Sequence, residues 1–303
     1  MRIVVHGQQA FGRTVLEKLL ERGENVVAVC TAPDKEGRPM DPLKELAQER
    51  DLAVHQPASW KTDEALELMR SFDADVCMMA YVLLFVPSAV LDIPRHGSFQ
   101  YHPSLLPMHR GPSSINWPIA MGATRTGLTV FWPDDGLDEG PILMQKTCEI
   151  GPDETLGDVY FNKLFPMGVE AMIESLDLVR EGKAPRIVQN LAEGSYESWF
   201  GKKEAELDWT QPVANVYNIV RAANPQPGAW TTHDGRELKI FNAARGEGTG
   251  RPGEVVAVDD GGFEVAADGG SIRVFRVRAD GGKVPASEYA AQTRLVPGDV
   301  LGN

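Results

Sequence analysis

Little in this chain points away from an ordinary globular protein, and the scarcities narrow its class. There are only 3 cysteines in 303 residues. Cys30, Cys77 and Cys148 are far apart, and each sits in an apolar run. An odd count without paired spacing excludes a disulfide framework and a zinc knuckle. Buried, inert thiols are the expectation. No apolar run reaches the roughly 18 residues that a membrane span requires. The apolar part of the N-terminus, Ile3-Val4-Val5, is too short for a signal peptide, so it reads as a first strand and the expected location is the cytoplasm. Basic residues are also in deficit, with a net charge of −13. Residues 202–303 carry 12 Lys and Arg against 14 Asp and Glu, and the rest carries 18 against 29. Nucleic-acid binding rests on clustered cations, so neither part reads as a nucleic-acid binder. Internal repeats and low-complexity tracts are lacking as well.

What is present is patterned. At 43% hydrophobic and 24% charged residues the composition is globular, and the length suffices for two cores. The first hundred residues alternate strand and helix signals. Ile3–Val5, Val26–Cys30, Ala74–Ala80 and Gly97–Tyr101 read as buried strands. Phe11–Leu20, Leu43–Glu49 and Ala65–Phe72 read as helices. Continuous apolar strands need both faces covered, so this order predicts a Rossmann-like, doubly wound and mostly parallel sheet. Leu128–Trp132 and Ile142–Gln145 read as two further strands, paired antiparallel. The spacing then predicts a long helix over Thr155–Glu181, capped by Thr155, stopped by Gly182 and kinked or divided at Pro166. Beyond Pro185 the pattern changes to an irregular stretch, one helix over Pro212–Ala223, and short β segments from Trp230 separated by Gly-rich turns. That is the pattern of a small β-barrel or sandwich. The expected organisation is a catalytic domain over 1–188, a linker over 189–203 and a β-barrel domain over 204–303.

Two runs carry chemistry. His102 follows the strand Ser98-Phe99-Gln100-Tyr101, and ligand sites of open α/β sheets lie beyond the carboxyl ends of the strands. Pro103 then restricts the chain direction. His109 and Arg110, just beyond, read as anchors of this loop. Asp138 sits in Gly136-Leu137-Asp138-Glu139-Gly140, with Asp134 and Asp135 as competitors. An Asp in a loop is usually a turn former, and the three lack the regular spacing of a hard-cation loop, so no metal is expected. Gly7-Gln8-Gln9-Ala10-Phe11-Gly12 lacks the G-x-G-x-x-G spacing of a dinucleotide site. NAD is therefore not expected, and the glycines read as permitting a tight strand-to-helix turn.

These runs carry a resemblance. Tyr101-His102-Pro103-Ser104-Leu105-Leu106-Pro107, His109-Arg110-Gly111, Ser114-Ile115-Asn116-Trp117 and Asp134 to Gly140 are similar to the 10-formyltetrahydrofolate-dependent formyltransferase family. Within it the chain most resembles the hydrolase domain at the start of 10-formyltetrahydrofolate dehydrogenase, and it is also similar to methionyl-tRNA formyltransferase. The likeness extends over essentially the whole chain. It implies a second, smaller C-terminal open β-barrel of OB-like type, a role in folate one-carbon metabolism, and His102 and Asp138 at the catalytic positions. The family's usual Asn two residues before the histidine is Gln100 here, which keeps an amide donor on a longer arm. The resemblance further implies 10-formyltetrahydrofolate as formyl donor, held by Leu84, Phe85, Val86, Ser104, Asp134 and Asp135. The carrier and aldehyde-dehydrogenase domains of the dehydrogenases are not expected, and with them oxidation by NADP. Water or a small amine is the expected acceptor. Methionyl-tRNA is an alternative that the acidic balance disfavours, and a non-catalytic folate-binding module is a reading of another class.

Overall fold

A computed structural model describes residues 1–302. The chain divides into two compact units that are interleaved in sequence. One comprises Met1–Gly111, Gly127–Cys148 and Lys163–Tyr196, and the other comprises Pro112–Thr126, Glu149–Asn162 and Glu197 onward. The irregular stretch 189–203 is thus shared between them, its first eight residues packing with the first unit.

The first unit is built on β1 (Arg2–Gly7), α1 (Gln9–Glu21), β2 (Asn25–Cys30), α2 (Pro42–Glu49), β3 (Val54–His55), α3 (Asp63–Ser71), β4 (Val76–Ala80), α4 (Ser88–Leu91) and β5 (Ser98–His102). Two short caps fix helix starts here. Asp41 accepts from the Leu43 N–H at α2, and Thr62 accepts from the Ala65 N–H at α3. After α5 (Asn116–Ala120) come β6 (Arg125–Phe131) and β7 (Ile142–Glu149). The seven strands are ordered β3-β2-β1-β4-β5-β6-β7. The five from β1 to β5 are parallel, and β6 runs antiparallel to β5. This is the doubly wound, mostly parallel sheet that the sequence predicts.

The next helical stretch is three pieces: α6 (Leu156–Val159), a π turn over Tyr160–Leu164, and α7 (Phe165–Arg180). Thr155 and Asp158 form a reciprocal capping box at its start. Pro166 has no N–H and crowds the carbonyl four residues back, so the wider π register occurs at the turn before it. Gly182 closes the stretch at φ 67°.

Two cores flank the sheet of the first unit. One, from α1, α2 and α7, includes Phe11, Leu16, Phe99, Tyr101, Leu128 and Leu176. The other includes Val4, Cys30, Trp60, Met69, Met79, Val90 and Leu91. Phe11 stacks on Tyr101 with ring centroids 4.4 Å apart. Gly168 makes this possible, because a Cβ there would lie 2.6 Å from the Tyr101 ring. Strand alternation then turns Phe99 and Tyr101 toward α1 and α7, and Ser98, Gln100 and His102 toward the other face. The Ser98 hydroxyl donates to the carbonyl of Leu91 on that face.

The second unit contains α8 (Val213–Ala222), β8 (Ala229–His233), β9 (Arg236–Gly246), β10 (Val255–Asp259), β11 (Gly262–Ala267), β12 (Gly270–Arg278), β13 (Val284–Pro285) and α9 (Ala286–Thr293). Its strands form an antiparallel sheet in the order β10-β11-β12-β9-β8, with β13 on β12. Leu238, Ile240, Phe263, Val265, Ile272 and Val274 are fully buried within it. No helix among the described residues is long and apolar enough to cross a membrane.

Candidate active site

His102 is the last residue of β5, and both its backbone and its ring are fixed. The backbone pairs with Thr129 of β6. The ring Nε2 lies 3.0 Å from the carbonyl oxygen of His109. A carbonyl only accepts, so Nε2 carries the proton and Nδ1 is the nitrogen left for chemistry. Nδ1 faces Oδ2 of Asp138 at 3.7 Å, and the two side chains are 8% and 10% exposed. That gap is longer than a hydrogen bond but short enough for a strong charge interaction with a protonated imidazole.

Asp138 is held on several sides. Its Oδ2 accepts the Gly111 N–H at 2.9 Å. Its own carbonyl accepts from the Gln189 side chain at 2.9 Å, and that of Gly140 accepts from the same amide at 2.7 Å. The turn is tight: a Cβ on Gly140 would lie 1.9 Å from the Trp132 carbonyl oxygen. Asp138 itself has φ 57° and His109 φ 56°. Among the described residues eight non-glycines have positive φ; Tyr81, His109 and Asp138 lie in the loops that follow β4, β5 and β6, and Gln9 opens α1 just after β1. Backbone strain of this kind, about 1–3 kcal/mol each, concentrates at functional sites.

The remaining expected site residues divide. Gln100 lies on β5 two residues before His102, half-buried and on the same face of the sheet. Asp135 accepts the Ser88 N–H at 2.9 Å, tying the 133–141 loop to the start of α4. Asp134 accepts the Gly136 N–H at 2.9 Å and shapes the turn. Of the three aspartates, Asp138 is the one set against an imidazole. Ser104 is fully buried, its hydroxyl donating to the Met108 carbonyl at 2.7 Å and its carbonyl accepting from Thr129, so it braces the loop. Val86 is buried in the second core, Leu84 packs on that core, and Phe85 is exposed with the Lys61 ammonium 4.9 Å from its ring centroid. Tyr81, Leu83, Phe85, Met108 and Leu137 are all exposed large apolar side chains in these same three loops. Arg110 forms an ion pair with Glu139, anchoring the loop after β5 to the Asp138 turn. Gly7 serves close packing, since a Cβ there would lie 2.1 Å from the Ala80 carbonyl oxygen.

Sequence reading missed Gln189, Ser195 and the backbone groups of His109 and Gly111. The first two sit in a stretch without periodicity. Backbone donors and acceptors leave no sequence signal at all.

A family model described as formyl transferase matches residues 1–176, and a second, for the C-terminal domain of formyl transferases, matches residues 200–294. The chain belongs to the formyl transferase family. Within it, the chain is 38% identical over 306 residues to cytosolic 10-formyltetrahydrofolate dehydrogenase from Xenopus laevis, covering 95% of this chain and 34% of that protein. It thus spans about a third of the length of the dehydrogenases it matches. It is also 38% identical over 308 residues to methionyl-tRNA formyltransferase from Geobacter sulfurreducens, covering 100% of this chain and 97% of that one. Two crystal structures share the fold. HypX from Aquifex aeolicus, in complex with tetrahydrofolic acid, aligns at a TM-score of 0.69 and 21% identity, over 99% of this chain and 48% of that chain. The N-formyltransferase from Helicobacter canadensis, with folinic acid and dTDP-3-aminofucose, aligns at 0.68 and 18%, over 90% and 98%. Membership accounts for the shared architecture and leaves the formyl acceptor open.

Proposed function

We propose that this chain removes the formyl group from 10-formyltetrahydrofolate and passes it to water or to a small amine. The observation that carries the reading is the buried pair of His102 and Asp138, set 3.7 Å apart beneath loops with exposed apolar side chains. The folate ring would enter between the 80–87 and 133–141 loops, where Phe85 and Leu137 offer flat apolar contact.

The chemistry follows from the free nitrogen. Nδ1 of His102 takes a proton from the attacking water or amine as the new C–O or C–N bond forms. The imidazolium that results is stabilised by the Asp138 carboxylate. The tetrahedral carbon carries an oxyanion, and the Gln100 amide is the side-chain donor assigned to it. The intermediate collapses with cleavage of the bond to N10, and His102 returns the proton to that nitrogen. The products are tetrahydrofolate with formate, or with a formamide.

The nearly end-to-end match to a methionyl-tRNA formyltransferase favours a second reading, transfer to methionyl-tRNA. The net charge of −13 opposes it. One assay separates the readings: formyl release from 10-formyltetrahydrofolate in buffer alone, with a panel of amino sugars and amino acids, and with methionyl-tRNA. Release in buffer supports the hydrolase and amine-dependent release a small-molecule transferase. Release only with methionyl-tRNA supports the second reading, and folate binding without release in any arm overturns catalysis.

A further inference from the structure

We infer that Gln189 is a positioning residue that holds Asp138 at its working distance from His102, and that the segment 187–196 is a strap that fixes both catalytic loops at once; this rests on the reading of His102 and Asp138 as the catalytic pair. The strap begins as a short antiparallel pairing. Ile187 and Ile142 exchange backbone hydrogen bonds of 2.8 and 2.9 Å. Two residues on, the Gln189 side chain lies along the Asp138–Gly140 turn, and its Nε2 donates to both carbonyls. Both acceptors are carbonyls, so the amide has one possible orientation. Its Oε1 is left buried with no hydrogen-bond partner. A half-satisfied buried amide is a poor means of stabilising a fold. What it does supply is a fixed backbone on either side of Glu139, and with it the positive φ of Asp138.

The far end of the strap holds the other loop. The Ser195 N–H donates to the Pro107 carbonyl at 3.1 Å, and the Ser195 hydroxyl accepts the His109 N–H at 2.9 Å. The Ser195 carbonyl accepts the Arg110 N–H at 3.1 Å. The segment so gripped contains the His109 carbonyl that fixes the His102 ring. One stretch of ten residues therefore sets the positions of imidazole and carboxylate together, although they lie 36 positions apart in the chain.

The test uses Gln189→Met, which keeps the length of the side chain and loses both donors. It should fold, bind tetrahydrofolate within threefold of native, and lose kcat by roughly 30-fold or more, since small displacements of catalytic groups have effects of this order. Backbone amide exchange in residues 134–142 should rise about tenfold. The double variant Gln189→Met/Asp138→Asn should be no slower than Asp138→Asn alone, because a group that acts through Asp138 has nothing left to position. Native-like kcat, additive losses in the double variant, or unchanged exchange in 134–142 would each overturn the inference. Should Gln189→Met fail to fold, Gln189→Asn, an amide one methylene short, is measured in the same way. If Asp138→Asn and His102→Asn both keep native rates, it is the catalytic reading that fails, and the exchange measurement still decides whether Gln189 clamps the turn.

Discussion

Replacing Asp138 by Asn removes one charge and little else. The Asn oxygen can still accept the Gly111 N–H, and the backbone carbonyl still meets Gln189. What disappears is a carboxylate 3.7 Å from the nitrogen that takes the proton in the proposed mechanism. Two unit charges about 4 Å apart interact by about 4 kcal/mol at an effective dielectric near 20. Burial of both side chains limits screening, and in the proposed mechanism the attraction develops as the imidazole takes up the proton. Most of that energy is therefore felt in the transition state. At 1.36 kcal/mol per tenfold, kcat should fall by roughly 10²- to 10³-fold. Formate release under single turnover measures the chemical step, and quenching of intrinsic fluorescence by tetrahydrofolate measures binding, which should change by less than about threefold. If the two groups act as a unit, the variant that also carries His102→Asn should be no slower than His102→Asn alone. A kcat within tenfold of native, or a loss confined to KM, refutes the pairing of these residues in catalysis.

Three further outcomes are expected. Burial pushes the His6 imidazole down to about 3, whereas in the unfolded chain it titrates near 6.5; the unfolded state thus binds the proton first, and stability falls as pH drops below about 6.5. His6→Leu should abolish roughly 2 kcal/mol of the stability lost between pH 7 and pH 5, read by urea unfolding at the two pH values, and an unchanged loss refutes the assignment. Gly140→Ala places a Cβ 1.9 Å from the Trp132 carbonyl oxygen, so the Asp138 turn must open; activity should fall at least about 100-fold, while a variant of native activity would show that the turn tolerates displacement. Burial pushes the Cys77 thiol up to about 12 and raises that of Cys30 well above its usual range; a disulfide reagent should modify half-buried Cys148 in the native protein and reach the other two only on unfolding.

The legible parts of this fold are those with a local cause. Val26–Cys30 is apolar on both faces because helices cover both faces of β2. Pro166 announced its disruption because a missing N–H acts within one turn. Thr155 and Gly182 marked the helix ends for equally local reasons. The short helices α5 and α9 were not legible, since α5 has a single turn around Pro118 and α9 carries a weak apolar stripe. The interleaving of the two units was illegible for another reason. It depends on which segments pack together across a hundred residues, and composition changes little at Gly111 or at Glu149. The site follows the same rule. A histidine at a strand end is a local signal. The sorting of Asp134, Asp135 and Asp138 into turn former, tie to α4 and partner of an imidazole depends on contacts with Ser88, Gly111 and Gln189, none of them near in sequence.

One strand links stability to chemistry. In β5 the odd-numbered Phe99 and Tyr101 fill the core beneath α1 and α7, while Gln100 and His102 face the opposite side. A slip of one residue in register would turn the imidazole toward α1 and α7 and carry the two aromatic rings to the opposite face, out of the core they fill. The energy that forbids this slip is the burial of Phe99 and Tyr101, about 1.5–3 kcal/mol for each large side chain. The position of His102 thus needs no dedicated support of its own along the strand direction; the core supplies it. Asp138 has no such strand beneath it, and lies instead on a turn in left-handed conformation. Its position must come from side-chain and backbone hydrogen bonds, which is why the residues that hold it are scattered through the loops and the strap. Core substitutions beneath β5 should therefore lower activity only as far as they lower the folded fraction, whereas substitutions in the strap should lower turnover in molecules that remain folded.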